Sequence, residues 1–132
     1  MTLKVRWGIV AIMQIALHNA VSGLKAAARR LEVSADNVVN SRSDGYLPHR
    51  VDLVANALGG TRATAVPVTP PSVPFFDPDS PLADADGVAP RPNVSLEGEI
   101  VEQMLARHAF EANLRTVETA DRMMRSLLDT FA

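Results

Sequence analysis

Cysteine is absent from the 132 residues. That excludes a disulfide scaffold and any thiolate metal site, and it suits both cytosolic life and a protein exported unfolded that must avoid wrong crosslinks. Aromatic residues are scarce, at 5%, although 47% of the chain is hydrophobic. Alanine and valine carry much of that fraction, and such small side chains favour close helix packing over a bulky globular core. No apolar run reaches the ~20 residues of a membrane span. The formal net charge is only −2, which gives neither the basic footprint of a nucleic-acid binder nor a pull toward an anionic membrane. There is no G-x-S-x-G, no glycine-rich phosphate loop, and no serine, histidine and acid at an informative spacing. The chain is therefore expected to be no enzyme, with no cofactor, no small-molecule substrate and no nucleic-acid partner.

What is present is helical periodicity at both ends. Phe110, Asn113, Val117, Ala120, Met124, Leu127 and Phe131 follow at alternating spacings of 3 and 4, which keeps them on one face of an α-helix. Ser95 is a good N-cap, and Glu97 and Glu99 lie in the first turn where the helix dipole favours negative charge. One helix is predicted over 95–131, roughly 55 Å long at 1.5 Å per residue, with Gly98 as its weak spot. Val10, Met13, Leu17, Ala20, Leu24, Ala27 and Leu31 repeat the rhythm near the start. They predict a second helix from about Ile9 to about Asn40, with Gly23 inside it as a weakness or a point of close backbone contact. Lys4 and Arg6 before an apolar run suggest a signal peptide, but Gln14, His18 and Asn19 spoil the pattern. The segment is read as retained helix.

The charge distribution is consistent with pairing of the two ends, and equally with charged faces that are simply solvated. Residues 1–50 carry seven Lys/Arg against three acids, and residues 93–132 carry four against seven. The fold class expected is mainly α: a single domain, 1–132, in which the terminal helices form an antiparallel, coiled-coil-like hairpin around an insert at 41–94. In that insert Ser41 to Gly45 is a polar turn cluster, and one β-hairpin closed at Gly59-Gly60 is expected. Eight prolines between Pro67 and Pro92 then point to an extended, stiff connection, with Phe75-Phe76 pinned against the helix pair or a neighbouring molecule. No third element is evident to cover the other faces of the helices. The stripes carried by Leu17, Leu24, Leu31, Phe110, Val117, Met124 and Leu127 are accordingly the candidate subunit-packing surfaces.

Two metal patterns fail. His108 and Glu111 share a helical face, but a di-metal bundle site needs a second such pair and further carboxylates. Asp77, Asp79, Asp84 and Asp86-Gly87 hint at a calcium loop, but Leu82 stands where the first ligand belongs and no glutamate follows at the right distance. No metal, cofactor-binding or catalytic residue is assigned.

The segment 31–46 resembles the N-terminal signature of bacterial flagellar rod and hook proteins. Ser34, Ala35, Asn37, Asn40, Gly45 and Tyr46 match it, while Asp36 replaces an asparagine, Val39 an alanine, and Arg42 departs from a commonly uncharged position. Asp77-Pro78, Pro81, Ala83-Asp84, Gly87 and Pro92-Asn93-Val94 are similar to the segment leading into the last helix of proximal rod proteins of the C type. Glu99, Val101, Glu102, Met104, Arg107, the run Ala109 to Asn113, Thr119-Ala120, Met124 and Leu127-Leu128 resemble the C-terminal helix shared by the axial proteins.

The resemblance implies a structural subunit of the flagellar basal-body rod, a drive shaft crossing the periplasm. It implies polymerisation through the terminal helices, with other rod proteins and copies of itself as partners. It also implies export by the flagellar type III apparatus without a cleaved signal, and a need for the chain in flagellum assembly and motility. The residues by themselves also allow a soluble helical adaptor that holds a partner in an apolar groove.

Overall fold

The computed structural model describes Leu3 to Asp129. Two long helices bracket two small hairpins in the order α1 (Leu3–Val39), β1 (His49–Ala55), β2 (Thr61–Pro67), β3 (Ser72–Phe76), β4 (Val88–Pro92) and α2 (Leu96–Asp129). The expected helices are both present. The first begins earlier than its apolar rhythm indicated, and Phe131, assigned to the second, lies outside the described residues.

Both inner helix ends are closed by side chains. At the end of α1, Asn40 Nδ2 donates to the Asp36 carbonyl (2.9 Å) and Ser41 Oγ to that of Val38 (2.8 Å), which satisfies carbonyls the helix leaves open. Gly45 then takes φ +74°, a conformation that disfavours any side chain, and the chain turns toward β1. At the start of α2, Ser95 Oγ accepts from the Gly98 N–H (3.2 Å), the N-cap bond expected of it.

The helices run antiparallel. Met13 lines a groove with Ala120, Gly23 abuts Asn113, Arg30 binds Glu102, and Ser34 reaches the Glu99 carbonyl. Residue numbers rise along α1 as they fall along α2. The seam is narrow because its most buried members are small. Met13, Ala20, Ala27 and Ser34 recur every seven residues on α1, and Ala106 and Ala120 answer on α2, Ala106 at 0% exposure. A Cβ added at Gly23 would stand 2.5–2.7 Å from the Asn113 amide. That glycine is a point of close approach rather than a flaw in the helix.

The first hairpin is antiparallel, with His49 opposite Pro67 and Ala55 opposite Thr61. Its turn closes on Gly59 and Gly60, at φ +91° and +83°, as expected of that pair. It does not stand free, contrary to the expectation that nothing covers the helices. β1 and β2 lie along α1: the Thr61 N–H donates to Ser22 Oγ (3.0 Å) at the tip, and His49 bonds Asn37 at the base. This places Ala26 and Val33 beneath the hairpin, off the main seam, and explains their burial.

The proline-rich stretch is a second hairpin, not an extended connection. β3 pairs antiparallel with β4, Pro74 facing Pro90 and Ser72 facing Pro92. The Asp77 N–H bonds the Gly87 carbonyl and the Asn93 N–H that of Pro71. Those bonds fix the hydrogen-bonded pairs at odd positions of β3, so Pro74, Pro90 and Pro92 fall at positions whose missing N–H would have pointed outward. A two-stranded sheet has only edges, which is why the prolines are tolerated. Phe75 and Phe76 are not pinned against the helices: the Arg91 guanidinium lies 3.7 Å from the Phe75 ring centre, and Phe76 is 68% exposed.

Candidate assembly interface

Two of the signature residues of segment 31–46, Asn37 and Tyr46, meet at one buried side chain. Asn37 is 2% exposed and uses all its bonding capacity. Its Nδ2 donates to the His49 carbonyl (2.7 Å) and to Glu99 Oε1 (2.8 Å), while its Oδ1 accepts from the Tyr46 hydroxyl (3.0 Å) and the His49 N–H (3.1 Å). Because His49 faces Pro67 at a non-hydrogen-bonded position of the ladder, its backbone groups point away from β2 and toward α1. Asn37 therefore ties the end of α1, the turn, the first hairpin and the start of α2 together. One turn away Ser34 donates to the Glu99 carbonyl (3.2 Å), and Arg30 Nε bonds Glu102 Oε1 (2.5 Å).

Electrostatics follow from these contacts. The hydrogen bond to Glu102 raises the Arg30 pKa, outweighing its partial burial. Burial, aided by the negative charges of Asp36 and Glu99, raises the pKa of Tyr46. On the far side of α2 the Arg107 guanidinium, 2.9 Å away, holds the Glu111 carboxyl below its usual range. Glu111 is thus engaged with arginine beside an exposed His108, and among the described residues no group of three His, Asp or Glu is placed to hold a metal.

The predicted stripes flank the seam. Leu17, Leu24 and Leu31 each lie four residues beyond a buried member, Met13, Ala20 and Ala27, on the side away from the first hairpin, and are half-buried. Val117, Met124 and Leu127 are half-buried along α2, and Phe110 is exposed. Sequence reading missed the polar half of the seam: Ser34 and Glu99 sit at its seven-residue spacing, and Asn37 one turn beyond Ser34, but all three break its apolar rhythm. It also missed the outer face of α2, where Leu96, Ile100, Val101, Met104 and Leu105 are all exposed.

The chain leaves much of its apolar surface open. A compact chain of 14.2 kDa exposes about 6,800 Å² by the usual scaling with mass, whereas this one exposes 9244 Å². Among the described residues no helix is long and apolar enough to cross a membrane.

Known proteins share this arrangement in sequence. Residues 87–130 match the family described as flagellar basal body rod FlgEFG protein C-terminal. Flagellar basal-body rod protein FlgC of Salmonella typhimurium is 34% identical over 122 residues, spanning 83% of this chain and 90% of the relative. FlgC of Escherichia coli O6:H1 is 35% identical over 121 residues with the same coverage. FlgC of Agrobacterium fabrum is 27% identical over 123 residues, spanning 83% of this chain and 88% of its own. The matched span takes in most of both chains, and the chain belongs to the FlgC family of flagellar basal-body rod proteins.

Proposed function

We propose that this chain is a structural subunit of the flagellar basal-body rod that polymerises through its paired terminal helices, with other rod proteins and copies of itself as partners. The role is structural and not catalytic. The observation that carries the reading is the surface the single chain leaves open: its exposed area exceeds that of a compact chain by about 2,400 Å², well above the roughly 800 Å² that each partner gives to a standard interface, and large apolar side chains are part of it. The seven-residue recurrence of small residues supports a coiled-coil-like seam within each subunit. Leu17, Leu24, Leu31, Phe110, Val117, Met124 and Leu127 form the flank that packs against neighbours. Delivery through the flagellar type III apparatus without a cleaved leader accords with a chain free of cysteine.

The test is complementation of a deletion strain, scored by swimming, by secreted protein and by recovery of the chain in purified basal bodies. Leu24→Asp and Val117→Asp place a carboxylate in a half-buried apolar flank, and an unpaired buried charge costs several kcal/mol at every subunit of a polymer. Both variants are expected to abolish rod assembly. Arg122→Asp, on an exposed position, is expected to swim normally, since exposed charges contribute roughly 0–1 kcal/mol. Normal swimming by both flank variants would refute the packing assignment. Recovery of the parent chain outside basal bodies, in a soluble complex, would favour an adaptor.

A further inference from the structure

One strand of the second hairpin is uncovered, although Ala89 and Pro92 on the other are buried. β3 is exposed along its whole length, and β3–β4 packs against neither helix. A two-stranded hairpin alone is marginally stable at best in water and needs a surface to pack on. Its loop, residues 77–87, carries four aspartates and no base, and among the described residues none of the four is in an ion pair. Leu82 is exposed in the middle of that loop.

A surface of complementary character lies at the opposite end of the molecule. Ile12, Met13 and Ala16 of α1 and Ala120 and Met123 of α2 line an open groove of ≈ 380 Å³. Arg115 stands at its rim in no ion pair among the described residues, and Glu111, a carboxylate its charge acts on, is already bonded to Arg107. The groove and the base of the second hairpin are separated along α2 by some twenty or more residues, about 30–40 Å at 1.5 Å per residue, so the two do not meet within one chain.

On the rod reading, we propose that the acidic loop 77–87 of one copy docks in the Ile12–Met123 groove of the next, Leu82 entering the groove and Asp79 and Asp86 facing Arg115. Asp84 is left to its structural task of accepting the Asp86 and Val88 N–H groups. The contact joins two different patches, so it is heterologous. Repeated from copy to copy it generates a ring or an open helical array instead of an isologous dimer, and charge complementarity sets its register.

The absence of cysteine makes crosslinking a clean test. Leu82→Cys and Met123→Cys, carried on separately tagged chains in one deletion strain, are expected to give a disulfide-linked heterodimer bearing both tags in isolated basal bodies. A chain carrying both changes is expected to give a ladder, and Ile12→Cys is expected to replace Met123→Cys. Arg115→Glu should lower the crosslinked fraction roughly tenfold, and adding Asp79→Lys should restore it. Basal bodies that contain both chains without a mixed-tag dimer would overturn the contact while leaving the rod reading intact. So would links between two Leu82→Cys chains only, intrachain links only, or a yield indifferent to Arg115→Glu. Absence of the parent chain from basal bodies would overturn the rod reading and the contact together.

Discussion

Replacing Asn37 tests whether one buried amide holds the insert to the helix pair. Asn37→Leu keeps the branched shape with somewhat greater bulk and removes four hydrogen bonds at once. The Tyr46 hydroxyl and the Glu99 carboxylate are half-buried and can turn toward water, so they lose little. The His49 N–H and carbonyl cannot turn, because the ladder to Pro67 fixes them facing α1. At about 1–3 kcal/mol for each of these two groups left unpaired, the change costs roughly 2–6 kcal/mol, a large share of the 5–15 kcal/mol typical of a domain. In urea, with a slope of about 2 kcal/mol/M, the unfolding midpoint should fall by about 2 M. Asn37→Asp adds a sign. It sets a second carboxylate where the amide met Glu99 at 2.8 Å, so the pair holds a proton more tightly folded than unfolded, and stability should rise as pH falls from 7 to 5. A shift under 1 kcal/mol for Asn37→Leu, or an Asn37→Asp chain more stable at pH 7 than at pH 5, would refute the tie.

Gly23→Ala should destabilise despite a helix-propensity gain of about 1 kcal/mol, because its Cβ displaces the Asn113 amide from its bond to the Ala109 carbonyl. In an Asn113→Ala background the same change should stabilise, and a double-mutant cycle by urea unfolding checks the reversal. The raised pKa of Tyr46 contributes stability that is full below the unfolded tyrosine value and lost as pH rises through the folded one. Unfolding midpoints should therefore fall as pH rises beyond the ordinary tyrosine value of 10.0, and more shallowly in Tyr46→Phe. His108→Ala with Glu111→Ala should leave swimming unchanged, since both are surface positions engaged with Arg107 or solvent; loss of swimming together with a stoichiometric metal in the parent protein would contradict this.

The helices were legible because periodicity is local: Leu17, Leu24 and Leu31 declare a face with no knowledge of what meets it. The Ser95 cap and the Gly59-Gly60 turn were legible for the same reason, since each is a rule about neighbouring residues. Proline density misled at 67–92, because the rule that excludes proline concerns central strands, and only the register of β3 on β4 shows that every position is an edge.

Sequence by itself determined the two long helices, the Ser95 cap, the first turn and the lack of thiolate chemistry, all of which are read from composition or from residues within a few positions of one another. Tertiary structure alone decided the role of Asn37, whose partners lie 9, 12 and 62 residues away. It likewise decided the value of Gly23, a gap only because Asn113 fills it, and which apolar faces stay open. A hydrogen bond or an uncovered surface is a relation between distant segments, and its physical content exists only once the chain has brought them together.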